Sequence, residues 1–227
     1  MRIGMGFPIP NLASLPGASR PGGGGTPVPP GPPPLAQVNN VYSMEFDGFD
    51  ERISIPTIEI PISSNYSVSF WFKGNDSTLN DVMIGGASNN YFPYLSLTSG
   101  NIRVYFRNTS VSRSILTDVT YAADTWYHLV ISQGVTNTIA YINGLDKGNV
   151  TSINGGTSIA INTIGSYETG GFPFNGFIDE VAFFNTALTD AEILSIYNAT
   201  EIVSGVNKTA DLSQLTTPPV KWYRMGD

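Results

Sequence analysis

The run Asn175 to Asn198, N-G-F-I-D-E-V-A-F-F-N-T-A-L-T-D-A-E-I-L-S-I-Y-N, limits the fold most. Asn175-Gly176 is a tight-turn dipeptide, because both residue types tolerate positive φ. The stretch after it, F-I-D-E-V-A-F-F, is rich in β-branched and aromatic residues and predicts a strand. Thr189, Asp190, Ala191 and Glu192 then spell a capping box, in which the Thr hydroxyl and the Glu carboxylate satisfy each other's backbone N–H. Ile193 and Tyr197, four apart, share a face of the helix so started, which ends near Asn198. One strand, one turn and one short helix close a chain that otherwise reads as strands.

From Val41 onward, short alternating segments are separated by turn residues at sandwich spacing. Strands are expected at 43–47, 52–55, 67–73, 82–85, 94–97, 102–107, 112–116, 126–132, 138–142, 147–150, 158–164 and 176–184, with Asn143-Gly144 closing a hairpin. About a dozen antiparallel strands in one chain imply two packed sheets. The 227 residues suffice for one such sandwich plus appendages, and with no cysteine the fold has neither disulfide staples nor thiolate chemistry. A net charge of −7 argues against a nucleic-acid partner. No apolar run approaches the roughly 20 residues that a spanning helix needs, so no membrane insertion is expected.

Residues 1–40 differ from the rest. They hold ten of the 16 prolines and eight of the 24 glycines, with Arg2 and Arg20 and no acidic residue. Such a segment cannot bury enough apolar surface to fold alone, and Pro27 to Pro34 favours an extended polyproline II spacer. Ile3, Met5, Phe7, Ile9, Leu12 and Leu15 supply apolar anchors ahead of that spacer, as in a docking peptide on a tether. The domain division expected is therefore 1–40 docking arm or linker, 41–200 sandwich, and 201–227 an extension whose terminal strand packs back on the sandwich.

Five motifs in order carry a family resemblance. They are Phe46-Asp47-Gly48-Phe49-Asp50; Val68-Ser69-Phe70-Trp71-Phe72-Lys73; Trp126-Tyr127-His128-Leu129-Val130; Tyr141-Ile142-Asn143-Gly144; and Gly176-Phe177-Ile178-Asp179-Glu180-Val181. Over roughly Tyr42 to Asn198 the chain resembles the laminin-G-like, concanavalin A-like jelly rolls. The fold that this implies is all-β: a two-sheet antiparallel jelly-roll sandwich with one short C-terminal helix. The ending Trp222-Tyr223-Arg224-Met225-Gly226-Asp227 resembles the strand that usually begins such domains, and is expected to pack beside the Phe46 strand of its own domain or of a neighbour. The same ending resembles lectin-like virion proteins of marine tailed phages.

The resemblance also implies site chemistry. Calcium takes several hard oxygen ligands, and the family pattern points to Asp47 and Asp179, with Asp50 close by in sequence. The plainer reading is a turn aspartate and a carboxylate accepting backbone bonds. Glycan contact is suggested by the residues themselves, because sugars are held by aromatic faces and a few fixed polar groups. Two segments fit: Asn89 to Tyr94, offering Tyr91, Phe92 and Tyr94, and Tyr167 to Phe174, offering Tyr167, Phe172 and Phe174. The same rings would equally serve as lids on the sandwich or as a protein contact.

Catalysis is not expected. Glucanases of the related fold carry E-x-D-x-x-E on one strand, and here Phe177 stands two before Asp179. The one histidine, His128, matches a structural position of the family, and no serine has a nucleophile-elbow context. With no export signal legible and no disulfide, the expectation is a non-enzymatic virion structural protein at the particle surface. It is tied to capsid or tail proteins through residues 1–40, multicopy or homo-oligomeric, and adsorbs weakly to host-surface glycans. The alternative is an extracellular carbohydrate-binding adhesin.

Overall fold

The computed structural model describes residues 2–5, 35–62, 64–87, 90–153, 156–203 and 206–225. Its strands are β1 (Arg2–Met5), β2 (Gln37–Asn39), β3 (Tyr42–Asp47), β4 (Ile53–Ile60), β5 (Tyr66–Gly74), β6 (Asn80–Val82), β7 (Ile84–Gly85), β8 (Tyr91–Thr98) and β9 (Asn101–Arg107). They continue as β10 (Ser112–Thr120), β11 (Tyr127–Gln133), β12 (Asn137–Ile142), β13 (Leu145–Thr151), β14 (Ile159–Ile164), β15 (Asn175–Phe184), β16 (Glu201–Val203), β17 (Val206–Ala210) and β18 (Lys221–Tyr223). The helix α1 (Asp190–Asn198) lies between β15 and β16. No helix among the described residues is long and apolar enough to cross a membrane.

Two antiparallel sheets form the sandwich. The first runs β1-β3-β15-β5-β11-β12-β13, with β18 also on β15. The second runs β10-β9-β8-β7-β14-β4, with β6 on β8. The core between them follows strand alternation. Phe46, Val68, Phe70, Phe72, Leu129 and Ile131 point inward from the first sheet and meet Phe92, Leu95, Ile102, Val104, Phe106 and Ile161 of the second.

The outer face of the first sheet is covered as well, which is why β5 and β11 are buried along their whole length. The expected capping box forms: Thr189 Oγ1 accepts from the Glu192 N–H at 3.3 Å, and Glu192 Oε2 accepts from the Thr189 N–H at 2.9 Å. This fixes where α1 starts, so that Ile193 and Ile196 settle on Val130, Tyr141 and Phe184. Tyr197 stacks on Trp71, with centroids 5.8 Å apart. Ala210, Leu212 and Leu215, with Leu35 and Trp222 packed alongside, extend that layer. Sequence patterning missed a small third sheet, β16-β17-β2, because its strands are only three to five residues long. It makes residues 35–40 part of the folded layer, whereas the sequence assigned them to the arm.

Two further differences concern the ends. The strand β18 pairs with β15, Val181 opposite Tyr223, and not with β3. One edge of β15 is shared, by β3 over Asn175 to Ile178 and by β18 over Val181 to Phe183. The seam between them is a bulge, where register shifts from Asp179–Trp71 to Ala182–Ser69 and Glu180 takes a left-handed φ of 51°. At the other end, Ile3 and Met5 fall on β1, which runs antiparallel to β3 with Arg2 opposite Glu45. Phe7, Ile9, Leu12 and Leu15 lie outside the described residues.

Candidate functional site

Among the described residues, α1 and the 206–225 segment lie over the first sheet, and the outer face of the second sheet is the large sheet surface they leave open. Strand β9 alternates cleanly: Ile102, Val104 and Phe106 enter the core, so Arg103, Tyr105 and Arg107 point outward. Its neighbour β8 carries a bulge. Tyr91 pairs with Arg107 and Tyr94 with Tyr105, three residues on one strand against two on the other. The extra residue puts Tyr91 and Tyr94 on the same face, although their spacing in a regular strand would oppose them.

A loop, residues 165–174, delivers the second group of rings to this place. Its base is pinned by Gly165 N–H to Met83 O at 2.9 Å and by Phe174 N–H to Gly165 O at 2.8 Å. Its tip is held by the Val82 N–H donating to Phe172 O at 2.9 Å. Gly85 lets the loop lie close, since a Cβ there would sit 2.6 Å from the Ser166 carbonyl oxygen. Phe174 plugs into the core against Phe46 and Phe72, at 6.4 and 6.5 Å, while Phe172 stays 48% exposed.

The result is one continuous aromatic cluster. Tyr94 meets Tyr105 at 5.3 Å, Tyr91 at 5.6 Å and Phe172 at 5.7 Å. Tyr167 meets Tyr91 at 5.9 Å and Phe172 at 6.0 Å. Most of these contacts are tilted or edge-on, the arrangement the ring quadrupoles favour, and they hold the half-buried ring of Tyr94 and the exposed ring of Phe172 in fixed orientation. The Tyr94 hydroxyl donates to Asn80 Oδ1. Burial raises the Tyr167 phenol to about 12, with Tyr91 adding to the rise and Arg107 opposing it. Burial, then Tyr105, likewise raises Tyr94. Both phenols therefore keep their protons in neutral solution, that of Tyr94 being directed at Asn80.

The structure thus brings together Tyr91, Tyr94, Tyr167 and Phe172 from the two segments singled out in the sequence, but Tyr91 and Tyr167 are themselves buried, so the half-buried Tyr94 and the exposed Phe172 are the rings left for contact. It removes two others from surface contact. Phe92 is fully buried and packs on Phe106, and Phe174 is 1% exposed. Alternation and loop closure turn both rings into the core, so neither can touch a glycan. Sequence reasoning missed Tyr105, Arg103 and Arg107. The signal was the Arg-x-Tyr-x-Arg alternation in 103–107, read only as a strand.

The three aspartates do not fit one calcium ion. Asp47 lies opposite Asn175, whereas Asp179 lies opposite Trp71, four residues further along β15 and so roughly 13 Å away. Asp179 is buried and already used: Oδ2 accepts from Asn40 Nδ2 at 2.9 Å and Oδ1 from the Glu180 N–H at 2.8 Å. Asp47 Oδ1 caps its own turn through the Phe49 N–H at 2.9 Å. Asp50 faces a surface cleft beside Glu45, Glu51 and Arg52. Among the described residues no three carboxylate or imidazole groups converge on a common point.

His128 lies beneath Trp71 and Tyr197, with Nε2 2.9 Å from Ser69 Oγ. Burial lowers its pKa to about 3, so the imidazole is neutral. Glu180, beside it, is 4% exposed and accepts from Thr209 Oγ1 at 3.2 Å, Arg224 Nε at 3.4 Å and the Trp222 indole N–H. Burial raises the Glu180 pKa, and Arg224 is the largest of the groups that hold it back.

A family model described as the Concanavalin A-like lectin/glucanases superfamily, of the laminin G type, matches residues 47–194. Among solved structures, the chain is similar to the native heptameric SAP-like pentraxin from Limulus polyphemus. That likeness has 17% identity and a TM-score of 0.53 over 74% of this chain and 90% of that one. It is also similar to a protein from Bacteroides ovatus ATCC 8483 described as a putative carbohydrate binding protein. There the identity is 14% and the TM-score 0.57, over 86% of this chain and 53% of that one, so this chain spans about half of it. No curated protein matches the chain. At these identities the two structures share a fold with it and no more. The motif order, the two-sheet topology and the family match together place the chain in the concanavalin A-like lectin/glucanases superfamily.

Proposed function

We propose that this domain is a non-catalytic carbohydrate-binding module, displayed in multiple copies on the surface of a tailed-phage particle. The observation that carries the binding role is the aromatic cluster on the open face of the second sheet, with Tyr94 and Phe172 held for contact. Flat, fixed rings with phenolic donors beside them suit the faces and hydroxyls of pyranose sugars. The non-catalytic reading is supported by the two carboxylates of the I-D-E-V strand. Both are buried and committed to partners within the fold, where a hydrolase needs a pair open to the glycosidic bond. The particle role is supported by residues 1–40, a proline- and glycine-rich arm suited to tethering, and by the W-Y-R-M-G-D ending.

Tyr94→Ala and Phe172→Ala are each expected to weaken binding to a responsive polysaccharide about tenfold, a loss of about 1.4 kcal/mol. Affinity electrophoresis against a polysaccharide panel measures it, with the melting temperature as a folding control. Unchanged affinity in both variants would remove the face from the reading. Gold-labelled electron microscopy with antibody to 41–227 tests the location. Label on heads or tails is expected, whereas label on cells or free polymer with bare particles selects the extracellular adhesin.

A further inference from the structure

The open face carries charge as well as rings. Five of the cations elsewhere in the fold are engaged: Arg224 with Glu180 at 3.4 Å, Lys147 with Asp118 at 3.1 Å, Lys208 with Asn39, Arg113 with the Ser112 carbonyl, and Arg52 with the Asp50 carbonyl. Arg103 and Arg107 make no ion pair and no hydrogen bond among the described residues, and Arg103 Nε is buried without a partner. Both flank Tyr105 on β9, and the Arg103 guanidinium lies over the Tyr105 ring at 5.6 Å. The residues opposite them on this face are neutral: Ser96 and Leu116 for Arg103, Tyr91 and Ser112 for Arg107. Among the described residues, a chain of net charge −7 thus keeps two guanidinium groups without an ion-pair partner beside its aromatic cluster. The acids nearest in the topology are Asp118 on the adjacent strand β10, which is paired with Lys147 at 3.1 Å, Asp81 on β6 beside β8, and Glu168, exposed on the 165–174 loop.

We infer that this face selects a negatively charged polysaccharide, one with carboxylate or sulfate groups repeating along the chain. The inference rests on the aromatic face being the glycan site. A guanidinium presents a planar fork of donors that matches a carboxylate or sulfate two bonds at a time. Outward positions on one strand recur about every 6.8 Å, so the Cα atoms of Arg103 and Arg107 stand roughly 13.6 Å apart. A single terminal acid reaches one of them. A polymer lying along β9 meets both, with the Tyr105 and Tyr94 rings between and beside them for its sugar faces. Both arginines are partly open to solvent, so their attraction is screened by added salt.

The test uses the full chain with alginate and polygalacturonate as polyuronates, dextran and laminarin as neutral controls, and oligothymidylate as a non-glycan polyanion. Affinity is measured by titration calorimetry at about 0.05 M and about 0.5 M salt. Expected are at least a tenfold preference for a polyuronate, erosion of that preference at high salt, and its loss in the Arg103→Gln/Arg107→Gln variant. Glutamine keeps much of the side-chain stem, and a matching melting temperature verifies the fold. Tyr94→Ala is expected to weaken neutral and charged ligands alike. Equal affinity for neutral and charged polymers, or full preference in the double variant, overturns the charge selection and leaves the glycan face standing. Binding to no polysaccharide overturns both. Oligothymidylate displacing the polyuronate at equal affinity overturns the assignment to glycans.

Discussion

Truncation after Val220 is expected to lower stability by about 3 kcal/mol, a fall of roughly 6–12 °C in melting temperature for a domain of this size. The truncation removes β18, and with it the Trp222 indole and the Arg224 guanidinium that hold Glu180. Glu180 is 4% exposed, so its charge is left in the layer between the first sheet and the 206–215 segment, with Thr209 as its remaining partner. Removing one partner of a buried pair costs more than the pair contributed, because the other charge stays uncompensated. The pH dependence follows in sign. Burial already raises the folded pKa of Glu180 above the ordinary value of 4.5, and truncation raises it further by deleting Arg224. Between 4.5 and that folded pKa the native state binds more protons than the unfolded state, so stability falls as pH rises through the window. The deficit of the truncated protein should therefore grow as pH rises past the folded pKa of Glu180 in the full chain, level off above its higher folded pKa in the truncated one, and shrink when Glu180→Gln is added. Thermal melts across pH measure it. A truncated protein that melts with the full chain would mean that Glu180 draws nothing from the segment.

Gly165→Ala is expected to cost about 3 kcal/mol or more and to abolish the aromatic site with it. Two penalties act at one atom. Gly165 has φ +93°, a conformation that side chains rarely adopt. A Cβ there would also stand 2.3 Å from Phe46 Cε1 and 2.5 Å from Cδ1. The Phe46 ring is 1% exposed and backed by Phe174, so it has nowhere to retreat. The loop must shift instead, and the loop carries Tyr167 and Phe172. Calorimetry should show the loss of stability, and the same protein should fail to bind any ligand that the native face holds. Adding Phe46→Leu makes room and should restore part of the stability, though not the part due to φ. A Gly165→Ala protein that melts within a degree or two of the native one would refute this packing account.

Much of the fold was legible because it is written in local rules. The capping box at Thr189 and Glu192, the Asn143-Gly144 hairpin, the alternation in β5 and the existence of β9 and β11 as strands each depend on residues within one element, and each appears as read. The bulges were not legible. The one in β15 is set by how neighbouring strands slip past each other and no residue type marks it, whereas the one in β8 encloses Pro93, whose missing N–H fits a bulge and which was read only as part of a loop. One moved Tyr91 onto the face of Tyr94, which assembled the site. The other turned Glu180 aside and left Asp179 bonded to Asn40, which took Asp179 out of reach of Asp47. Composition singled out two ring-bearing segments, which the fold brings together, but it could not say which rings face inward. Phe92 and Phe174 look like Phe172 in sequence and differ from it only in where the backbone points them. The arginines of β9 were overlooked because charge on a strand reads as ordinary solvated surface until every carboxylate partner is found elsewhere.

The shared edge of β15 also orders events in time. A ribosome releases β3 early, and β15 can pair with it and with β5 once residue 184 is clear. Half of the outer edge of β15 stays open until Lys221 to Arg224 follow, roughly 40 residues later. During that interval an unpaired strand edge and a carboxylate bound for burial both face the crowded surroundings of synthesis. The left-handed turn at Glu180 serves this stage too, because a bulge bends the waiting edge away from the straight, flat form that invites pairing with other chains.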